Sequence, residues 1–467
     1  MKRTLILLAA LLLAPVAGLA AAAPSKPNIV FLLFDDMGYG QPQCYNPQSA
    51  LRTPNLDRLA TQGMRFTDAH SGSAVCTPTR YGVLTGRYPS RIGQFGVLGN
   101  TSQPIIPTTR MTVASLLKQH GYATACIGKW HLGLNWTEKP GKSGADGKFR
   151  DGPNALGFDF FYGYTEARSL GMILEQDKVA AHVPAVNVEP MMIAKAVDWI
   201  GEQAKSDKPF FLYFPACPPH APIVPAPEYA GKGGKDVVKN ENDYADWVYQ
   251  GDAMLGQIME ALEKNHLAEN TILIVTADNG AAGRAYVPLK AAKASIYEGG
   301  HRVPYVVRWP GKVKAGSTWN HTICLNDLMA TAAEITGATI PANAAEDSVS
   351  ILAALLGKSA APTREATVHQ SHAGDFAIRQ GPWKAVFFKD GHRELYNLTD
   401  DLGEKHDVRA ANPEVLTTLT ALFQRYIDNG RSTPGAIQKN EFALSLEGNA
   451  AGKKSNRKAK QSRLDDE

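Results

Sequence analysis

The chain has 467 residues, of which 44% are hydrophobic and 20% are charged, and it carries a formal net charge of +4. This is ordinary globular composition, with ample length for a large core and two domains. Lys2 and Arg3 contribute +2 and residues 451–467 contribute +3, which leaves −1 for the body of the chain, so bulk charge gives no support for a nucleic-acid partner.

The first residues have the pattern of a targeting segment. Lys2 and Arg3 precede an apolar run over residues 5–13, and small residues follow as far as Ala23. This pattern predicts a secretory signal peptide, whose apolar run is too short for a comfortable membrane span. No cysteine precedes Cys44, which excludes a lipid anchor at the cleavage point, and no later stretch is long and apolar enough to cross a bilayer. We therefore expect an exported protein, periplasmic or secreted.

Four short apolar runs predict buried strands, at residues 28–34, 122–127, 210–214 and 271–276. Each run is followed by polar or ionisable side chains, namely Asp35-Asp36, Lys129 and His131, His220, and Asp278-Asn279. Sites in parallel α/β sheets form beyond the carboxyl ends of the strands. The four strand ends therefore predict one site at one edge of the sheet.

Helical patterns alternate with these strands, at residues 112–120, 190–205, 243–265 and 326–336. The alternation predicts an α/β fold, with a large mixed, mostly parallel sheet sandwiched by helices. Later in the chain, short strands are predicted at 376–379, 383–388 and 394–397. A helix follows with Asn412 as its cap and Pro413 as its first residue. These elements predict a smaller C-terminal antiparallel sheet plus a helix.

These patterns divide the chain into four consecutive parts. We expect a signal peptide over residues 1–23, a catalytic domain over 24–345 and a small α+β subdomain over 346–435. Residues 436–467 form the fourth part, a polar basic tail. Its end, residues 451–467, is polar and basic and lacks apolar anchors, and we expect the tail to be disordered.

Residues 76–87 carry the most informative string, Cys-Thr-Pro-Thr-Arg followed by Tyr-Gly-Val-Leu-Thr-Gly-Arg. Thr77 is predicted to cap a helix that begins at Pro78. Cys76 then lies at the positive end of the helix, and Arg80 can direct a second positive group to the same place. The pattern fits a nucleophile that attacks an anionic ester. A buried structural cysteine before an ordinary helix is the alternative.

Paired oxygen ligands at two strand ends indicate a metal. Asp35 and Asp36 are adjacent carboxylates whose repulsion and desolvation a hard cation would offset. Asp278 and Asn279 at a second strand end would complete an oxygen cage for calcium or magnesium. Asp and Asn also favour turns, so each pair alone fits a simple turn.

The order of motifs resembles the sulfatase family, of the formylglycine-dependent arylsulfatase and N-acetylgalactosamine-6-sulfatase type in the alkaline phosphatase superfamily. The likeness covers residues 26–427. The motifs that carry it are Asp35-Asp36-Met37-Gly38, the Cys76 to Gly86 signature, Gly128-Lys129-Trp130-His131, Pro219-His220, Thr276 to Gly280, and Lys293 with Glu298-Gly299-Gly300 and Arg302-Val303-Pro304.

The resemblance implies a modified residue and one metal ion. A formylglycine-generating enzyme converts the family's signature cysteine, here Cys76, to formylglycine (3-oxoalanine). One Ca²⁺ is implied, held by Asp35, Asp36, Asp278, Asn279 and the modified Cys76. One hydroxyl of the aldehyde hydrate attacks sulfur and expels the alcohol.

The resemblance also implies roles for the charged residues. Arg80, Lys129 and Lys293 add fixed positive charge around the sulfate. Asp278 helps to remove the proton of the attacking hydroxyl, and His131 takes the proton of the second hydroxyl, after which the aldehyde reforms and sulfate leaves. His220 and Lys293 lie on the leaving side and protonate the departing oxygen. Each residue alone also fits a structural role, so the assignment rests on their joint order.

Two departures from the family pattern leave these residues intact. Thr79 stands where relatives often carry Ser or Ala, and Ala291-Ala292 replaces a glycine pair before Lys293. The expected substrate is a sulfated saccharide or another small sulfate ester, such as an aryl sulfate. Residues 95–107, 139–182 and 216–249 are predicted to wall its pocket.

Other readings of the same residues stay open. A formylglycine-dependent phosphonate or phosphate ester hydrolase of the same superfamily is the nearest one. Relatives with two zinc ions generally use Thr or Ser and carry His where this chain has Asn279, which favours a single hard metal. A pseudoenzyme that binds sulfated glycans is a third alternative.

Overall fold

The fold is built on one large mixed sheet, as a computed structural model that describes residues 26–140 and 147–447 shows. Its twelve strands run in the order β13-β2-β12-β11-β1-β10-β4-β7-β8-β9-β6-β5. The strands of the large sheet and of a two-stranded sheet are β1 Asn28–Asp35, β2 Met64–Phe66, β3 Ala69–His70, β4 Ala123–Lys129, β5 Asn135–Glu138, β6 Lys148–Arg150, β7 Phe160–Tyr164, β8 Met172–Glu175, β9 Lys178–His182, β10 Phe210–Pro219, β11 Thr271–Ala277, β12 Tyr305–Arg308, β13 Ser317–Trp319 and β14 Ile323–Cys324. The predicted signal peptide lies outside the described residues.

The α-helices complete the main domain and a C-terminal unit. They are α1 Pro54–Gln62, α2 Cys76–Thr85, α3 Val113–Gln119, α4 Val188–Gln203, α5 Asn242–Lys264, α6 Glu298–His301, α7 Leu328–Thr336, α8 Leu352–Leu355 and α9 Pro413–Asp428. Helices α4 and α5 pack together on β10, whereas α2, α3 and α7 form a second group that reaches β4 through α3. All eight residues of β1 are buried, as expected for a strand whose sheet is covered on both faces.

The four predicted strands are neighbours at the centre of the sheet, in the order β11, β1, β10, β4. All three pairings are parallel; Ile29, for example, lies opposite Phe211 of β10 and Ile272 of β11. Strand β12 pairs antiparallel with both β11 and β2, which makes the sheet mixed. The prediction of a mixed, mostly parallel central sheet is confirmed, and the carboxyl ends of four strands meet at one edge.

The C-terminal unit is an antiparallel sheet in the order β15-β16-β17-β18 with α9 packed on its central strands. Its strands are β15 Thr367–Gln370, β16 Phe376–Gln380, β17 Trp383–Phe387 and β18 Arg393–Asn397. The sheet plus helix was predicted, but β15 was not, because its Thr-Val-His-Gln sequence is too short and polar to register as an apolar run.

Residues 436–447, predicted as the start of a disordered tail, instead lie against the main domain. The backbone amide of Glu441 donates to the carbonyl of Arg91 over 2.8 Å, and its carboxylate pairs with buried Arg87 at 3.0 Å. The ring of Phe442 packs edge-on against Phe95. Leu444 and Leu446 of the same segment also pack into the hydrophobic cluster of the C-terminal sheet, so this part of the tail is ordered by contacts that its apolar residues make. The rest of the predicted tail, 448–467, is outside the described residues.

Among the helices of the described ranges, none is both long and apolar enough to span a bilayer.

Candidate active site

The site forms where β1 and β11 end side by side. The amide of Asp36 donates to Asp278 Oδ1 over 3.0 Å, and the amide of Asp278 donates to the carbonyl of Phe34 over 3.0 Å. The side-chain amide of Asn279 donates to Asp36 Oδ1 over 2.7 Å. Asp36 turns the chain sharply with a φ of 68°. Hydrogen bonds therefore join the two predicted ligand pairs, Asp35-Asp36 and Asp278-Asn279.

Three cations face the carboxylates of Asp35, Asp36 and Asp278. Arg80 lies 2.7 Å from Asp278 and 3.4 Å from Asp35, Lys129 donates to Asp35, and Lys293 lies 3.0 Å from Asp36. Burial and the neighbouring Asp35 carboxylate raise the pKa of Asp278 to about 7, with Arg80 opposing them. Burial also acts to raise the pKa of Asp35, but Lys129 and the neighbouring positive groups more than offset it.

The oxygen atoms in this cluster fit a hard cation. Asp35 Oδ1 and Asn279 Oδ1 are buried and have no hydrogen-bond partner. Ligand atoms of Asp35, Asp36, Cys76 and His220 all lie within 4.8 Å of one another. Orphaned buried oxygens are costly unless an ion or water satisfies them. A carboxylate-rich set of this kind suits calcium or magnesium better than a soft metal.

Cys76 lies at the first position of α2, and one prediction about this helix is wrong. The helix begins at Cys76 with Val75 as its cap, not at Pro78 with Thr77 as its cap. The Thr77 hydroxyl is instead used in tertiary contacts, since it donates to the carbonyl of His131 and accepts from the amide of Leu98. Burial, together with Asp35, raises the pKa of the Cys76 thiol well above its usual range. An unmodified thiol here is protonated and is a weak nucleophile.

His131 is held as a neutral base. Its Nε2 lies 2.8 Å from the carbonyl oxygen of Leu98, and because a carbonyl only accepts, Nε2 carries the proton. Nδ1 is then unprotonated; it is buried and without a hydrogen-bond partner. Burial, with Lys129 and Arg80 adding to its effect, lowers the pKa of His131 well below its usual range.

His220 and Lys293 mark the open side of the site. Their side chains are 21% and 19% exposed, whereas those of Arg80, Lys129 and Asp278 are fully buried. His220 Nε2 lies 3.8 Å from Asp36 Oδ2, the same oxygen that Lys293 contacts. A ligand that enters the site therefore meets these two side chains at its outer end.

All the candidate residues that were predicted from the sequence are brought together. They are Cys76, Arg80, Lys129, His131, His220 and Lys293, with Asp35, Asp36, Asp278 and Asn279. Two predicted wall segments also contact the site residues, because Leu98 covers His131 and the carbonyl of Thr165 accepts the His131 amide. The third segment carries His220 itself.

A second buried cluster was not found from the sequence. His70, His301 and His369 lie close together beside Glu298 and Lys384, at the junction with the C-terminal sheet. The rings of His301 and His369 stack at 4.0 Å with an interplanar angle of 7°, so their lone pairs do not converge, and the Lys384 ammonium lies 3.1 Å from His301. This geometry is structural rather than metal-binding. Only His301, next to the Glu298-Gly299-Gly300 motif, carried a sequence signal.

Comparisons with known proteins agree with this geometry. The sulfatase family model matches residues 27–338. The chain is 33% identical to an N-acetylgalactosamine-6-O-sulfatase of Bacteroides thetaiotaomicron, over 85% of this chain and 93% of that protein. It is 34% identical to arylsulfatase A of Homo sapiens, over 88% and 89% of the two chains.

Solved structures share the fold over nearly their whole length. One, from work on the metabolism of multiple glycosaminoglycans by Bacteroides thetaiotaomicron, has a TM-score of 0.78 and 30% identity, covering 86% of this chain and 99% of its own. Another, Ps i-CgsB in complex with k-i-k-neocarrahexaose, has a TM-score of 0.77 and 28% identity, covering 89% and 96%. The chain belongs to the sulfatase family, whose members hydrolyse sulfate esters, and is a sulfuric ester hydrolase.

Proposed function

We propose that this protein is an exported sulfatase that removes sulfate from a sulfated saccharide, using formylglycine made from Cys76 and one bound Ca²⁺. One observation carries the proposal: three carboxylates and three cations converge on Cys76, at the carboxyl edge of the central strands. A protonated buried cysteine serves poorly as the nucleophile itself, which supports its role as the precursor of an aldehyde hydrate.

The proposal includes two groups, a calcium ion and an aldehyde hydrate. Asp35, Asp36, Asp278, Asn279 and residue 76 would hold the calcium ion, which offsets negative charge on the sulfate oxygens when bound. Residue 76, once converted to the aldehyde hydrate, would supply the attacking hydroxyl. Conversion of Cys76 requires a formylglycine-generating enzyme as a maturation partner.

The buried cations bind and orient the sulfate group. Arg80 and Lys129 are fully buried and pre-positioned by Asp278 and Asp35, so they stabilise charge on the sulfate without reorganising. Lys129 contacts the Asp35 carboxylate, and its positive charge helps to keep Asp35 ionised.

His131 and the open-side residues move protons. His131 Nδ1 is free to accept a proton from a hydroxyl at residue 76, because Nε2 is occupied by Leu98. His220 and Lys293 lie at the outer end, where the leaving oxygen of a sulfate ester would emerge. We assign them the protonation of that oxygen.

The saccharide assignment rests on the named relatives. One relative is an N-acetylgalactosamine-6-O-sulfatase, and one structural neighbour was solved with neocarrahexaose. Export rests on the pattern of residues 1–23. We further propose residues 24–345 as the catalytic domain and 346–435 as a subdomain that packs on it.

A sulfate-release assay tests the proposal. The chain is produced together with a formylglycine-generating enzyme, and the mass of the peptide that contains residue 76 reports the conversion. A panel of sulfated saccharides is then assayed beside 4-nitrophenyl sulfate, 4-nitrophenyl phosphate and a phosphonate monoester. We expect sulfate release from at least one sulfated saccharide, and its loss in Cys76→Ala.

Other outcomes would overturn the proposal. Faster cleavage of the phosphonate or phosphate ester would instead identify a hydrolase of the related type. Saccharide binding without sulfate release by the converted protein would identify a glycan-binding pseudoenzyme. An unmodified thiol at Cys76 in protein from its natural host would exclude the formylglycine mechanism.

A further inference from the structure

The short helix α6 packs against two segments of the site, the one that carries Lys293 and the turn that carries Asn279. Gly299 and Gly300 lie against the backbone of the segment that carries Lys293. A Cβ atom at Gly299 would lie 2.2 Å from the Ala291 carbonyl oxygen, and one at Gly300 would lie 2.1 Å from that of Ser295. The Gly299 amide also donates to the carbonyl of Lys290 over 2.9 Å. The Lys293 segment therefore rests directly on α6.

The turn that carries Asn279 rests on the same helix. The amide of Gly280 donates to the carbonyl of Gly300 over 2.9 Å. A Cβ atom at Gly280 would lie 1.8 Å from the Gly299 carbonyl oxygen. Backbone packed this closely has no room to adjust, so a shift of α6 displaces the segments on both sides of it.

The strand that leads to Cys76 touches α6 as well. The amide of Ser71 donates to the carbonyl of His301 over 2.9 Å, and the Ser71 hydroxyl donates to the carbonyl of Ser73 over 2.6 Å. Ser73 in turn accepts the Thr79 hydroxyl of α2. Helix α6 is thus connected to the helix that carries Cys76, to the turn that carries Asn279 and to the segment that carries Lys293.

The position of α6 is set by a side chain of the C-terminal sheet. Lys384 of β17 is fully buried, and its ammonium lies 3.0 Å from Glu298 Oε1 and 2.7 Å from Glu404 Oε1. Glu404 Oε2 accepts the amide of Glu298, the first residue of α6, over 2.7 Å. Arg302 completes the group at 3.1 Å from Glu298 Oε2. One ammonium thus joins two buried carboxylates that would otherwise repel.

We propose that Lys384 is a positioning residue of the active site, which sets the place of Lys293 through the Lys384–Glu298 ion pair and the Gly299-Gly300 contact. The inference rests on the proposed role of Lys293 at the leaving oxygen. It assigns the C-terminal sheet a part in the reaction, although Lys384 itself touches no substrate.

Two measurements on Lys384→Met test the proposal. The first is hydrogen–deuterium exchange of the peptides that cover residues 290–302, which needs no activity. The second is kcat for phenyl sulfate and for 4-nitrophenyl sulfate, whose leaving groups differ in their need for a proton. Lys293→Ala provides the reference for a lost leaving-group contact. Arg364→Met is the matched control, because Arg364 is also a buried cation and is paired with Asp327 at 2.9 Å.

We expect faster exchange over residues 290–302 in Lys384→Met and no such change in Arg364→Met. We expect kcat for phenyl sulfate to fall about 100-fold, as for a displacement of about 1 Å. The loss with 4-nitrophenyl sulfate should be smaller, as it should be in Lys293→Ala. Lys384→Arg should recover part of the activity, because it retains the charge.

Three results would have distinct meanings. Unchanged hydrogen–deuterium exchange over residues 290–302 in Lys384→Met would overturn the role of Lys384. So would equal losses of kcat with the two substrates in Lys384→Met, if Lys293→Ala shows unequal losses. Equal losses in Lys293→Ala itself would remove the proposed role of Lys293, and this inference with it. If Lys384→Met does not fold, Glu404→Gln weakens the same ion-pair group while retaining an acceptor for the Glu298 amide, and the same criteria apply.

Discussion

At the scale of single residues, the site contains three carboxylates that no protein would bury together without compensation. Asp35, Asp36 and Asp278 lie in a low-dielectric interior, where like charges repel strongly. Arg80, Lys129 and Lys293 provide part of the compensation. Asp35 Oδ1 and Asn279 Oδ1 have no hydrogen-bond partner, although Arg80 lies 3.4 Å from Asp35 Oδ1, so a further positive group here would offset the cost of burying them.

Removal of metal should therefore destabilise the folded protein as well as inactivate it. A ligand present at 100 times its dissociation constant contributes about 2.7 kcal/mol to the free energy of unfolding. We expect a chelator to lower the midpoint of thermal unfolding and to abolish sulfate release, and added Ca²⁺ to restore both. Mg²⁺ added in parallel is the comparison. An unchanged unfolding midpoint in protein that metal analysis shows to be stripped would contradict the metal site.

Replacement of His131 should lower kcat and have a smaller effect on KM. We expect His131→Asn to reduce kcat for sulfate release by about 10²- to 10⁴-fold, because general base catalysis is lost. His266→Asn is a matched control: His266 is exposed, and the two histidines have similar positive φ values of 55° and 58°, which asparagine tolerates. Steady-state kinetics measure the effect. A kcat for His131→Asn within fivefold of the wild-type value would exclude the proposed role.

At the scale of elements, adjacent strands place the site residues by very close backbone contact. Gly163 of β7 lies opposite Gly128 of β4, immediately before Lys129. A Cβ atom at Gly163 would lie 1.9 Å from the Gly128 carbonyl oxygen. The absence of a side chain at Gly163 allows the strand that carries Lys129 to pair with β7 in this way.

A pair of glycine substitutions tests this requirement. We expect Gly163→Ala to lower the free energy of unfolding by about 3 kcal/mol through overpacking against backbone. In contrast, Gly201→Ala in α4, where a Cβ atom meets nothing within 4 Å, should raise it by about 0.5–1 kcal/mol, since alanine favours a helix. Urea unfolding measures both. Equal effects of the two substitutions would refute the proposed close contact.

The element boundaries illustrate what short-range patterns can predict. Apolar runs located the start of each of the four central strands to within one residue, although β10 continues five residues beyond its predicted end. The predicted start of α2 was wrong because the Thr77 hydroxyl forms hydrogen bonds with Leu98 and His131, which are distant in sequence. A cap is a local preference, and tertiary hydrogen bonds can override it.

At the scale of the whole molecule, the C-terminal sheet and the main domain meet through buried ionisable groups. His369 of β15 stacks on His301 of α6, and its Nδ1 lies 3.1 Å from the carbonyl oxygen of Ser71. Burial, with His70 and Lys384 adding to its effect, lowers the pKa of His369 well below its usual range, although Glu298 opposes them. The junction is therefore built from neutral histidines.

This junction should make the protein less stable in acid. An unfolded histidine takes up a proton below about pH 6.5, whereas buried His369 does not, so stability is full above that pH and falls as the pH is lowered. The loss is about 1.4 kcal/mol per pH unit for each such histidine. We expect His369→Leu to flatten the fall between pH 6.5 and 5.5 in urea unfolding. His266→Leu, at an exposed position, should leave the fall unchanged, and an unchanged slope in His369→Leu would contradict the prediction.

By itself, the sequence determined the class of fold and predicted a set of site residues that the structure brings together, because strand periodicity and motifs such as Asp35-Asp36 and Cys76 to Arg80 are short-range features of the chain. Only the tertiary structure decided which groups touch. The contact of Lys293 with Asp36 joins residues 257 positions apart, and that of Lys384 with Glu298 joins the C-terminal sheet to α6. Such pairings arise from how the sheet edge and the C-terminal sheet pack, and no local pattern in the chain encodes them.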